Sequence, residues 1–420
     1  MKKIITEGSN GYYYISTGII NSNTMKTQNI QSKQLCNPVE PALSFPLERF
    51  SLKKGREGEI SILQRYALKN NGIFQSHERG CNLYYELYGD GPEKLLLMSG
   101  LSMNFDAWKR IILLLLRDTR YQICIFCHRG FVYSTSQQKR FTTSMMADDA
   151  AALIDHLKWE KVNVAGLSMA GMIILELLMR HSEKLKTVTL MCGAADRFYP
   201  PLSNIWRQTA VMFIKDKVKA AKMTAPLNFG EKFLREKVKI VNIEDEPCVV
   251  SSPTPEDIQI IENEEKESKT EKVSSSSESS PLLSKSQYDM TGMEYVTQDK
   301  YLSPVTHCHI SPSLKALCGQ ICAVMTHFVS VERMHEWRKK WGDGQNDPVG
   351  KEKLPKEHHN DKVKVQVVHG SDDRSIPYSH GEHIAKHLGV PFILIPDAGH
   401  FLPLERPALI ANLIHQIIHS

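Results

Sequence analysis

Residues 161–179, KVNVAGLSMAGMIILELLM, constrain this chain more than any other stretch. Val162 and Val164 lead to Ala165 in the pattern of a short buried strand, and an apolar run of helical length follows Gly171. Between them lies Gly166-Leu167-Ser168-Met169-Ala170-Gly171. A strand that passes through a sharp turn into a helix, with a serine at the apex, is the setting a nucleophilic serine requires. The turn strains the serine backbone, so small residues must flank it. Gly166 stands two before Ser168, and Ala170 two after, where glycine is commoner; alanine adds one methyl group, and Gly171 follows directly. A purely structural strand–glycine–helix turn fits the same letters, so the meaning depends on what lies to either side.

The surrounding chain alternates strands with helices. Short apolar runs at 94–98, 121–127 and 187–192 read as buried parallel strands, and 105–117 and 142–157 as helices between them. In the second helix Met145, Ala152 and Leu153 are expected inward, and Asp148, Asp149 and Asp155 outward. Two further strands are expected at 73–75 and 83–87, joined across Glu78-Arg79-Gly80. Strand patterns return at 363–369 and 392–395, and 408–418 reads as a closing amphipathic helix. Such alternation implies a mostly parallel central sheet with right-handed crossovers, flanked by helices.

Four segments follow. Residues 1–71 are polar, carry Pro38, Pro41 and Pro46, and show no sustained periodicity, so a poorly ordered N-terminal extension is expected. Residues 72–192 form the first part of the core, 193–361 a helical cap insertion, and 362–420 the second part of the core. Within the insertion 205–221, 233–241 and 314–340 look helical. About 244–286 is acidic and then serine-rich, and is expected to be a disordered loop. An insertion after a strand of such a sheet covers its carboxyl edge, where ligands bind.

Charge and cysteines narrow the class. Net charge is +5, yet residues 243–280 hold eleven acids against three lysines, which leaves a basic body. That body leaves contact with an anionic membrane surface open, although an ordinary solvated surface explains it as well. No nucleic-acid motif and no interleaving of basic with aromatic residues occurs. The longest apolar run, 111–116, stops at Arg117, far short of a membrane span. Nine cysteines without regular spacing, three of them (Cys124, Cys127, Cys192) inside apolar strands, read as free thiols, and with no signal-peptide core at Met1-Lys2-Lys3 a cytoplasmic location is expected. His307, Cys308, His309, Cys318 and Cys322 invite a zinc reading, but their spacing fits no closed tetrahedral site, and no metal is expected. Cys318 and Cys322, four apart, are expected to pack as small apolar groups.

Four markers together resemble the α/β-hydrolase superfamily, on its serine esterase and lipase side. They are Ser99-Gly100-Leu101 after an early strand, the 166–171 string, Gly370-Ser371-Asp372-Asp373-Arg374-Ser375-Ile376-Pro377, and Ala398-Gly399-His400. The resemblance implies the α/β-hydrolase fold and a catalytic triad in the chain order serine, acid, histidine: Ser168, Asp373 and His400. The pattern of the resembled family places the acid three after Gly370 and four before Pro377, which implies Asp373 rather than Asp372. Asp372 is expected to be a solvated loop residue; Asp196, after the strand ending near Cys192, is a rival acid. The resemblance also assigns the oxyanion donors to the backbone N–H groups of Leu101 and Met169. Ser99 stands where a histidine is frequent, and Cys127 where an aspartate often precedes the Arg-Gly pair, which puts anchoring of that loop in question. His369 is expected only to pack. His327 and Met325 are candidates either for an acyl pocket or for the cap core.

The chemistry that this implies is cleavage of a carboxylic ester, small or lipid-like, through an acyl-enzyme and without a cofactor. C–C bond hydrolysis, acyl transfer or cofactor-free oxidation on the same triad remain alternatives, as does a non-catalytic binding protein of the same fold. An epoxide hydrolase or dehalogenase is disfavoured, because those carry aspartate where this chain has Ser168.

Overall fold

The computed structural model describes residues 2–7, 13–18, 68–76, 78–103, 107–131, 133–196, 214, 216–243, 246–251, 291–297, 314–342 and 362–420. The strands are β1 (Lys2–Glu7), β2 (Tyr13–Gly18), β3 (Leu68–Ser76), β4 (Cys81–Tyr88), β5 (Glu93–Met98), β6 (Tyr121–Phe126), β7 (Thr135–Ser136), β8 (Val162–Leu167), β9 (Leu185–Met191), β10 (Lys239–Ile243), β11 (Glu246–Ser251), β12 (Lys364–Gly370) and β13 (Phe392–Ile395). Eleven of them make one sheet in the order β2-β1-β13-β12-β9-β8-β5-β6-β4-β3, with β7 paired to β4. The strands from β1 to β6 in that order are mutually parallel, while β2, β3 and β4 run antiparallel to their neighbours. β1 and β2 fall within the stretch expected to lack order, and they extend the sheet beyond β13.

Helices α1 (Lys109–Leu115), α2 (Thr143–His156), α3 (Met169–His181), α4 (Lys217–Asn228), α5 (Glu231–Arg235), α6 (Gly292–Thr297), α7 (Leu314–Thr326), α8 (Val331–Trp341), α9 (Tyr378–Leu388), α10 (Leu402–Glu405) and α11 (Pro407–His419) surround the sheet. The period-two alternation of strand side chains divides the core into two layers. Leu95 and Leu97 of β5 point into a cluster with α1 and α11. Leu96 and Met98 of the same strand point into a second cluster with α2, α3, α8 and α9. Burial on both faces is why these strands read as continuously apolar.

Several boundaries differ from the sequence expectation. In α2 the inward residues are Met146, Ala147, Ala150, Leu153 and Ile154, and Asp149 is buried with them rather than outward. The stretch 233–241 is not one helix: α5 ends at Arg235, and β10 then pairs antiparallel with β11. β11 occupies the start of the segment expected to be a disordered loop, whereas its serine-rich run lies outside the described residues. The stretch 314–340 is two helices, α7 and α8, parted by His327-Phe328-Val329-Ser330. Ser330 caps α8 by accepting the Arg333 N–H. The early part of the 205–221 helix and the His307-Cys308-His309 group also lie outside the described residues.

Candidate active site

Ser168 sits where β8 ends and α3 begins, with φ 63° and ψ −121°. A side chain in that region is strained by its own Cβ, and only dense packing holds it there. The packing is visible at the flanking small residues. A Cβ added to Gly166 would lie 2.9 Å from the Ala170 Cβ and 2.6 Å from the Ile174 Cδ1, and one on Gly171 would press on the Met191 carbonyl at 3.0 Å. Ser168 N–H donates to the Met191 carbonyl at 2.9 Å, which ties the turn to the end of β9. The N–H groups of the first turn of α3, Met169 among them, have no carbonyl partner within the helix and lie at the positive end of its dipole.

Asp373 and His400 come from the loops after β12 and β13. His400 Nδ1 lies 2.7 Å from Asp373 Oδ2, and both side chains are buried. The other carboxylate oxygen accepts the N–H groups of Ser375 (2.9 Å) and Ile376 (2.8 Å). His369 Nε2 stands 3.1 Å from Asp373 Oδ2 and 2.9 Å from the Ile376 carbonyl. Two acceptors around one ring nitrogen place the proton there, so His369 is a second donor to the acid. Its Nδ1 is packed against Gly381, where a Cβ would come within 2.5 Å, and among the described residues it has no hydrogen-bond partner. Burial opposes ionisation of Asp373, but the His400 charge and the His369 and His400 hydrogen bonds outweigh it and hold the carboxyl well below its ordinary range.

Cys192, His369 and Asp373 offer ligand atoms within 4.8 Å of one another. Their protonation argues against a metal. Burial pushes the Cys192 thiol well up, the Asp373 charge adds to it, and His369 Nε2 is committed as a donor.

Because the strands are parallel, the loops after β8, β12 and β13 all emerge at the carboxyl edge. Hydrogen bonds run between them: Cys192 N–H to the Val368 carbonyl (3.0 Å), Ser371 N–H to Ile395 (2.9 Å) and Asp372 N–H to Ala398 (2.9 Å). The acid–histidine pair is formed directly; among the described residues no hydrogen bond joins the Ser168 hydroxyl to His400. Such contacts are often loose without substrate.

The turn after β5 lies against the serine: a Cβ on Gly100 would fall 3.2 Å from the Ser168 Cβ. Met103 N–H closes the turn on the Gly100 carbonyl at 3.2 Å, with Ser102 at φ 56°. His128, following β6, donates its Nε2–H to the Ser99 carbonyl at 2.9 Å. Burial keeps that imidazole neutral, with its pKa lowered to about 4. Leu101, half-buried, follows Gly100 in this turn.

The rivals have other partners. Asp196 is exposed and hydrogen-bonds His380 at 3.0 Å. Asp372 does more than face solvent: its Oδ2 accepts the Glu231 N–H at 2.7 Å and its Oδ1 meets Arg374 Nε at 3.0 Å. His327 is spent on Thr143 Oγ1 (2.8 Å) and the Ala194 carbonyl (2.9 Å), and burial lowers its pKa to about 4, so it pins the insertion rather than lining a pocket. Cys318 is exposed rather than packed. Arg129, whose anchoring was in question, makes a two-pronged ion pair with Asp149, both contacts 2.6 Å and both side chains 2% exposed. A cleft of about 260 Å³ opens beside Gly130, Ser134, Gln138, Phe141 and Ala316; none of the triad candidates lines it.

Residues 227–231 of the insertion are fastened to both loops. Ser375 Oγ donates to the Leu227 carbonyl, Phe401 N–H to the Asn228 carbonyl at 2.8 Å, and Glu405 Oε2 accepts both Gly230 N–H (3.1 Å) and Gly399 N–H (2.9 Å). Glu405, Gln320 and His128 carry no motif; a polar residue inside an apolar run is the only hint each gives in sequence.

An open, mostly parallel sheet with a strained serine after one strand and a hydrogen-bonded aspartate and histidine after two later ones defines an α/β-hydrolase. The profile of the α/β-hydrolase fold family matches residues 94–407, and the chain belongs to that family. A protein named as the carbamate hydrolase RutD, from Azorhizobium caulinodans, is 29% identical over 120 residues, covering 29% of this chain and 44% of its own length. A protein named as a non-heme chloroperoxidase, from Synechocystis, is 26% identical over 120 residues, or 28% of this chain and 43% of its own. The chain thus spans less than half the length of these curated relatives. Among solved structures, an esterase from Thermogutta terrifontis superposes with a TM-score of 0.52 at 17% identity, over 84% of this chain and 100% of that one. An enol-lactonase from Burkholderia xenovorans gives 0.50 at 16% identity, over 81% and 98%. At those identities the likeness is one of fold.

Proposed function

We propose that the protein is a serine hydrolase that cleaves a carboxylic ester, small or lipid-like, through an acyl-enzyme. The observation that carries this is the 2.7 Å pair of His400 Nδ1 and Asp373 Oδ2, at the sheet edge that also bears the strained Ser168. With Nδ1–H given to the acid, the Nε2 lone pair of His400 is left for the serine proton. Ser168 Oγ attacks the carbonyl carbon as Nε2 takes that proton. The resulting oxyanion is received by the N–H groups of Leu101 and Met169. Collapse expels the alcohol, which leaves with the proton from Nε2, and water repeats the sequence on the acyl-serine. Asp373 orients the ring and balances the imidazolium.

The insertion 193–361 acts as the cap in this reading, set between core segments 72–192 and 362–420. Its residues 227–231 steady the acid and histidine loops. The names of the relatives widen the acyl group to a carbamate, so a carbamate belongs in the substrate panel. Labelling by a fluorophosphonate tests the assignment: wild type is expected to label, and Ser168→Ala to remain unlabelled. A folded wild type that resists the label and hydrolyses no ester overturns the reading.

A further inference from the structure

The turn between Gly100 and Met103 is gripped from two sides. From the core, His128 holds the Ser99 carbonyl. From the insertion, Gln320 of α7 accepts the Ser102 N–H through its Oε1 at 3.0 Å. That donor fixes which end of the amide is oxygen. The Nε2 end is therefore turned elsewhere, and among the described residues it has no hydrogen-bond partner, although the side chain is 0% exposed. Ser102 Oγ is also enclosed, and among the described residues it has no hydrogen-bond partner. Buried polar atoms are nearly always paired, so two that are not, at one turn beside the proposed nucleophile, call for a partner.

The chemistry of the two atoms defines what they take. An amide N–H₂ only donates and a hydroxyl can donate, so the missing partner is an acceptor. Position says which part of the substrate carries it. His400, the proposed proton donor to the leaving group, follows β13, whereas this turn follows β5, on the opposite side of β8 from β13. A leaving group taken up on the histidine side puts the acyl portion toward the turn.

We propose that Gln320 sets acyl specificity: its free N–H₂, with the Ser102 hydroxyl beside it, binds a hydrogen-bond-accepting oxygen in the acyl group, so the enzyme selects oxygen-bearing acyl chains over plain alkyl ones. The proposal rests on the serine-hydrolase reading above and names its substrate class. A site built to hydrogen-bond a group rejects an isostere lacking it, because its own polar atoms stay unpaired.

The test uses the full chain and two p-nitrophenyl esters of equal length, a hexanoate and the analogue with an ether oxygen in place of one chain methylene. Each kcat/KM is divided by the hydroxide hydrolysis rate of the same ester, which removes intrinsic reactivity. Wild type is expected to favour the ether by about tenfold or more. Gln320→Met, close in size but without the amide, is expected to bring the ratio near one, and Ser102→Ala to lower it in part. General loosening of the turn would slow both esters alike and leave the ratio unmoved. A ratio near one in wild type, or one that survives Gln320→Met, overturns the proposal; should that variant not fold, a ratio unchanged in Ser102→Ala does so. Ser168 that labels and turns over both esters without preference sinks this inference alone, whereas neither labelling nor turnover sinks the hydrolase reading with it.

Discussion

His369 Nε2 stands 3.1 Å from Asp373 Oδ2, the same carboxylate oxygen that His400 Nδ1 reaches at 2.7 Å. One oxygen of the proposed catalytic acid is therefore shared between two imidazoles. Replacing His369 by Phe keeps the bulk and removes the donor. A hydrogen bond to a buried charge contributes about 1.5–3 kcal/mol, and a loss of that size is expected in urea denaturation at neutral pH. The pH dependence has a definite sign. The Asp373 carboxyl is depressed in the fold, so its contribution is present above the unfolded value of 3.8 and is lost as pH falls through the folded one. The gap between wild type and variant should hold down to about pH 3.8 and narrow below it, as the folded carboxyl takes up its proton. Gln, which keeps an N–H donor, is expected to restore part of the stability and of the ester turnover. A gap that stays constant with pH would assign His369 to packing alone.

Glu405 links the insertion to the histidine loop through one oxygen, which accepts Gly230 N–H and Gly399 N–H. Burial raises its pKa, so an uncharged replacement is tolerated better than at an exposed site. Glu405→Gln retains an acceptor and is expected to stay within about 1 kcal/mol of wild type. Glu405→Ala strands both donors, at about 1–3 kcal/mol each, and releases the residue next to His400. Its kcat should fall roughly tenfold or more while KM changes little, since the mis-set group acts in the transition state. Equal turnover in the two variants would remove Glu405 from any positioning role.

Two buried histidines make the fold acid-labile in a specific window. His128 and His327 are lowered from 6.5 to about 4 by burial. The unfolded chain binds protons at both between those values, so stability is full above about 6.5 and is lost as pH falls toward 4. Each group contributes a slope of about 1.4 kcal/mol per pH unit inside that window. Denaturation measured from pH 7 to 4.5 should show a shallower slope in His327→Gln, by about one proton. An unchanged slope would place the acid sensitivity elsewhere.

Sequence carried the sheet well and the insertion poorly, for physical reasons. Strands such as β5 and β8 are buried on both faces, so their apolar runs name them without reference to partners. Ser168, Asp373 and His400 each follow such a strand within a recognisable string. Asp149 reads as outward because a carboxylate on a helix is usually solvated; its burial depends on Arg129, twenty residues earlier, and no local pattern shows the pair. Gln320 and Glu405 owe their places to tertiary hydrogen bonds with Ser102, Gly230 and Gly399. The stretch 233–241 reads as helix by composition, and becomes a short helix and a strand because β11 is there to pair with it.

The backbone of Ser168 carries the final prediction. At φ 63° and ψ −121° a residue with a Cβ is strained by about 1–3 kcal/mol, and glycine is not. Ser168→Ala and Ser168→Gly both lack the hydroxyl and should both be inert to fluorophosphonate, so activity does not distinguish them. Stability does. Alanine keeps the Cβ and with it the strain. Glycine relieves the strain but adds about 0.5–1 kcal/mol of chain entropy to the unfolded state. The balance leaves Ser168→Gly more stable than Ser168→Ala by about 1 kcal/mol, read as a higher urea midpoint at unchanged slope. If alanine proves the more stable of the two, the turn is relaxed as it stands. The packing of Gly166, Ala170 and Gly171 around it would then serve only the close approach of α3 to the sheet, with no strain held at the serine.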